Sequence, residues 1–178
     1  MVRFAIAAMV LALPVASAAQ TPKAPTTLKG VLLEQLQSTH DKEQWFAPAK
    51  IAVEGITAEQ AGWKDGKTNH SIGQLAAHLV FWDRQSLAKF KGEKPAAFSG
   101  DNNETFNSFD PAKWAQIKKD LDQVMKDWED AVAKADDAKI AESASTIAHI
   151  GAHNAYHIGQ MVYIRKLQGS WDPEKGVK

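Results

Sequence analysis

The chain holds six histidines: His40, His70, His78, His149, His153 and His157. Three of them, His149, His153 and His157, follow one another at four-residue steps. On a helix, residues four apart share a face and lie roughly 6 Å apart along the axis. Two imidazoles so placed can reach a single ion at about 2.0–2.1 Å from each nitrogen. The chemistry this spacing offers is ligation of a divalent transition metal. There is no cysteine, which excludes a thiolate site, a disulfide and a cysteine nucleophile.

The direction of that face matters more than the spacing. Projected at about 100° per residue, His153 and His157 point the same way as Ile150, Met161 and Ile164. Both histidines therefore lie in an apolar stripe that faces the interior. A buried imidazole needs partners for its nitrogens, and either a metal or a neighbouring hydrogen-bonding group supplies them. His78 lies beside Leu75 and Trp82 at the border of another apolar stripe, where it can complete a three-histidine site. Three ligands leave coordination positions open, as catalytic zinc sites do and structural ones do not. His149 drifts about 40° from the His153 direction and is expected either to hydrogen-bond behind a ligating histidine or to lie on the surface. Gln160 and Asn154 are candidates to orient a ligating ring or line its pocket, and Gln160 is equally suited to a helix–helix hydrogen bond. Tyr156 is expected to pack sideways, Trp82 to lie in the core, and His40 and His70 to be surface residues.

The elements that carry these residues read as helices throughout, since no strand-like alternation persists. A first helix is predicted from Leu28 into the region of Trp45 to Ile51, with Pro48 able to kink or end it. Residues 55–69 form a connector. The second helix starts near Asn69 to Ser71, where Ser71 and Gln74 can form a capping box, and stops near Gly92. Lys94 to Phe109 is a long polar stretch, either a crossover or a lid. Asp110 and Pro111 mark the start of a third, strongly amphipathic helix through Trp114, Ile117, Leu121, Val124, Trp128 and Val132. The fourth runs from about Ser143 to Gln168, with Gly169 as its stop. The fold class is all-α: a four-helix bundle with a long crossover between helices two and three.

The chain of 178 residues fits one domain, with 44% hydrophobic residues to build a core. Acidic and basic residues balance at 21 each, which argues against a nucleic-acid partner. At the start, Arg3, an apolar run from Phe4 to Val15 and the small residues Ala16 to Ala19 read as a signal peptide over 1–19. The run is too short for a comfortable membrane span, so no stable insertion is expected after cleavage. The expected location is the periplasm or the medium. Residues 20–27 read as a linker, 28–172 as the bundle and 173–178 as a tail.

Taken together, the residues from His153 to Arg165, ending at Gly169, resemble the DinB-like (DinB/YfiT) superfamily of metal-binding bundles. So do Gly55 to Trp63, the pair Ser71 and Ile72, and His78 with Trp82. The resemblance spans roughly 28–172. It implies an up–up–down–down bundle and a metal triad that maps onto His78, His153 and His157. It also implies a zinc, nickel or similar ion and a tendency to form homodimers. Some members are thiol-dependent transferases or isomerases that use cytosolic thiols, and an exported chain departs from that setting.

Three functions are open at this stage. One is a metal-dependent hydrolase acting on a small molecule, with Asp101 or Glu104 of the crossover reaching over as base. A second is metal-dependent thiol transfer. The third is a non-catalytic metal or small-ligand carrier. Because ligating histidines must be deprotonated, binding is expected to weaken as pH falls through about 6.5.

Overall fold

The computed structural model describes residues 24–66, 69–98 and 100–176. The signal-peptide segment lies outside them. Four long helices carry the fold: α1 (Leu28–His40), α4 (Ile72–Lys91), α5 (Trp114–Lys134) and α6 (Asp137–Leu167). Two short ones, α2 (Ala49–Val53) and α3 (Ala58–Gly62), lie between α1 and α4. There is no strand among the described residues.

Local signals fix the ends of α4 well. Ser71 accepts from the Gln74 backbone N–H, and the Gln74 side chain returns a bond to the Ser71 N–H. Gly92 closes the helix in the left-handed region, at φ +76°, which a side chain would strain. Asp110 and Pro111 open a short 3₁₀ turn, Pro111–Lys113, that runs directly into α5.

Two predicted boundaries are corrected. The first helix stops at His40, well before Trp45, because the buried His40 ring is tied through both nitrogens to Glu129 and Asp122 of α5. Pro48 then serves as the N-cap of α2 rather than as a kink. The last helix begins at Asp137 instead of Ser143: Asp136 accepts from the Lys139 N–H, and Ile140 already enters the core. The connector 55–69 also holds α3, started by a Thr57–Gln60 capping box.

Helix directions differ from the up–up–down–down order. Lys29 pairs with Asp137 at 3.7 Å and Gln35 lies against Gly151, so α1 and α6 run the same way. Arg84 pairs with Asp120 and Phe90 packs on Trp128, so α4 and α5 also run together, joined by the crossover. Asp83 meets Asn154 while His78 meets His157, so α4 opposes α6. The order is up–down–down–up. Going around the bundle, α1 touches α5 and α6, and α4 touches the same two.

The core has two centres. One gathers Leu75, Leu79, Leu121, Ile158 and Met161; the other gathers Leu32, Leu36, Val124, Trp128, Ile147 and Ile150. Arg165 is buried at the end of α6, where it donates to the carbonyls of Ile51, Ala52 and Ser170. It thereby adds donors at the end of α2, where the Ile51 carbonyl also accepts from the Glu54 N–H.

Candidate metal centre

His78 projects from the first half of α4 and is 2% exposed. His157 projects from α6 and is 7% exposed, and His153, one turn earlier, is half-buried. Ile150, Met161 and Ile164 are buried on the same face of α6. The Nε2 atom of His153 lies 3.2 Å from Nε2 of His78 and 3.1 Å from Nε2 of His157. Nitrogens bound tetrahedrally at zinc distances would lie about 3.3 Å apart.

The crossover reaches this point because α4 lacks a side chain at Gly73. A Cβ there would fall 2.2 Å from the ring of Phe109. With Phe109 seated, the 3₁₀ turn Asn102–Phe106 lies over His78. Phe106 stacks on His78 with centroids 3.9 Å apart, and His70 stacks on the other face of Phe106 at 3.8 Å. Trp82 is only partly buried and donates to Asn102 Oδ1, so it holds the turn rather than filling the core.

Proton positions follow from the network. Thr105 gives its hydroxyl hydrogen to the Asn102 carbonyl at 2.7 Å, so its oxygen accepts from His78 Nδ1–H at 2.5 Å. Gln160 Oε1 accepts from His157 Nδ1–H at 2.7 Å. Each neutral ring carries one N–H, so Nε2 of His78 and of His157 both present lone pairs to His153. His153 Nε2 can give a hydrogen to only one of them at full strength. A cation satisfies all three at once, and the donor set fits a divalent transition-metal ion.

The same burial keeps the rings uncharged. It pushes His78 down to about 3, helped by the neighbouring His157, His153 and His70. It pushes His153 down to about 4, with His157 adding to the effect. His157 is lowered by burial against the opposing pull of Gln160. Neutral imidazole is the ligating form.

Of the candidates around the triad, Gln160 touches it. Asn154 does not: it is buried, and its amide donates to Asp83. His149 is exposed, with Nδ1 against its own helix's Ser145 carbonyl. Tyr156 is exposed and meets His157 edge-on. Asp101 caps the 3₁₀ turn by accepting from the Asn103 N–H, and Glu104 is exposed on that turn.

His40 and His70 are not surface residues. His70 is half-buried on Phe106, and burial and Lys64 lower its pKa. His40, Asp41 and Glu129 form a second group whose possible ligand atoms lie within 4.8 Å of one another. Here the 2.7 Å from His40 Nδ1 to Glu129 Oε1 is a hydrogen-bond distance. Burial opposes the charge on His40, but the bonds to Glu129 and Asp122 outweigh it and raise its pKa. Through these two bonds His40 clasps α1 to α5.

Thr105, Phe106, His70 and Asp83 carried no motif. Asp83 alone left a trace, as a charge in register with Leu75, Leu79 and Leu87 on the buried stripe of α4.

A family model of the DinB superfamily matches residues 49–161, which include all three converging histidines. The chain belongs to that superfamily. No curated protein and no solved structure matches it significantly.

Proposed function

We propose that the protein holds one divalent transition-metal ion, zinc, nickel or similar, on His78, His153 and His157, and acts as an exported metal-dependent hydrolase. The observation that carries the metal reading is the meeting of three Nε2 atoms, two of them lone-pair donors by their Nδ1 partners. An ion there would supply Lewis acidity at its remaining coordination positions. The chain's own groups do the rest. Thr105 and Gln160 fix ring orientation. Phe106 shields His78 from water on one side, while half-buried His153 leaves an approach on another.

A cavity of about 230 Å³ lies next to the Gln160 that holds His157, lined by His70, Leu75, Gln160, Tyr163, Ile164 and Leu167 among others. Its size and mixed lining suit a small molecule with an apolar body and a polar head. His70, held neutral, lies on that lining and can take up a proton from an entering nucleophile. Export is supported by the pattern from Arg3 to Ala19. No helix among the described residues is long and apolar enough to cross a membrane.

Elemental analysis of the purified chain and of its alanine variants tests the site. His153→Ala and His157→Ala should each lose most of the bound ion, and a panel of esters and amides should be hydrolysed only by the loaded protein. Wild-type metal content in both variants would overturn the site. Full turnover in the presence of chelator would overturn the hydrolase reading.

A further inference from the structure

Asp83 is fully buried on α4, and Asn154, which it meets on α6, is 1% exposed. Asn154 Nδ2 donates to Asp83 Oδ2 at 3.0 Å. The second oxygen of each side chain, Oδ1 in both, is buried and reached by no protein donor. We infer that Asp83 is a neutral carboxylic acid, closed onto Asn154 by two hydrogen bonds, and that this pair braces α4 against α6 and so positions His78 opposite His153 and His157.

The argument is one of donors and acceptors. An ionised carboxylate and an amide oxygen are both acceptors only, so the two idle oxygens cannot serve each other. One proton on Asp83 Oδ1 resolves both, because Oδ1–H then donates to Asn154 Oδ1. A buried charge would need a cationic partner, and none is directed here. Arg84, the next residue, turns outward to Asp120. Trp128 of α5 spends its indole N–H on the Asp83 backbone carbonyl. On α1 and α5, His40 pairs with Glu129 and Asp122. The three converging histidines of α4 and α6 are kept uncharged by burial. Burial pushes the Asp83 carboxyl up to about 7, against the lowering pull of the Asn154 amide. A second bond made only by the protonated form adds to the upward direction.

Position gives the pair its purpose. Asp83 lies five residues past His78, and Asn154 lies between His153 and His157 in the chain. A two-bond contact between antiparallel helices holds at one sliding position only. That position is the one at which the three Nε2 atoms meet.

The test compares the full chain with Asp83→Asn, which keeps shape and both bonds without a titratable proton. The native acid holds a proton that the unfolded chain releases above about 4, so the contribution of Asp83 alone to stability should fall as pH rises toward its native pKa and level off above it. With metal chelated, the folded-to-unfolded ratio of Asp83→Asn relative to wild type should rise about tenfold per pH unit between roughly pH 5 and 6.5. The histidines are common to both proteins and cancel. Infrared spectra of the wild type at pH 6 should show a neutral-acid carbonyl band that Asp83→Asn lacks. A flat ratio, or no such band, overturns the neutral acid. The band alone decides if the variant fails to fold. Zinc titration reads the positioning role: Asp83→Leu should bind more than tenfold weaker, with Asp83→Asn near wild type. Equal affinity of Asp83→Leu and wild type overturns that role.

Discussion

Two of the three converging rings are held by side chains that no spacing rule selects, Thr105 on His78 and Gln160 on His157. Such outer partners fix the tautomer and aim the lone pair, and their loss typically weakens a metal site about 10–100-fold. Thr105→Val and Gln160→Leu should therefore each weaken zinc binding within that range while the fold persists. Equal affinity in both would show that the rings are aimed by packing alone. Run against pH, the same titrations carry a second reading. Protons compete with the metal only below a ligand's own pKa, and burial has moved His78 and His153 to about 3 and 4. Binding should thus survive well below pH 6.5, the point expected for free imidazole. For the metal-free chain the sign is acid-labile. Unfolded histidines take up protons below about 6.5 that the native ones refuse, so stability falls as pH drops.

Among the elements, the start of α4 does the most for the site. Alanine is the better helix former by about 1 kcal/mol, yet Gly73→Ala would place a Cβ against the Phe109 ring. Overpacking of this kind costs about 1–3 kcal/mol. Denaturant unfolding should show a net loss, and zinc affinity should fall as the crossover lifts from His78. A stabilised variant with unchanged affinity would mean that Phe109 relocates freely. The ends of α4 were legible because Ser71, Gln74 and Gly92 are local signals. His153 and His157 were legible because spacing and apolar stripe agree. The end of α1 was not, since it depends on His40 finding Glu129 and Asp122 more than eighty residues away. Thr105 was not, because a crossover has no period to read. The true start of α6 was hidden by a first turn and a half whose only large apolar residue is Ile140. Helix direction needs contacts between elements, and no periodicity reports it.

For the whole molecule, the question is where exposed apolar surface gathers. Of the tryptophans, Trp114 and Trp128 are buried. Trp45 is 90% exposed, yet it stands apart on the stretch between α1 and α2. On α6, Tyr156, Tyr163 and Leu167 are exposed at seven- and four-residue steps, beside the candidate metal centre. Apolar surface gathered on one helix face is a usual mark of an interface, and we propose that two copies pair across it. Protein recovered from the periplasm should begin near Gln20, and light scattering should give about twice the mass of that mature chain. Tyr163→Glu should halve it. A wild-type monomer at micromolar concentration, or a chain still beginning at Met1, would count against the respective part.

The pairing of α1 with α6 sets an order of events as well as a shape. The first helix packs along α6, over a hundred residues further on, so its main partner is made long after it. Contacts of such long separation slow closure, because a large loop must be ordered before it is rewarded. Until α6 is complete, α1 has only α5 and the short α2 to rest on. In a chain of this design both centres of the core are closed only when α6 is in place.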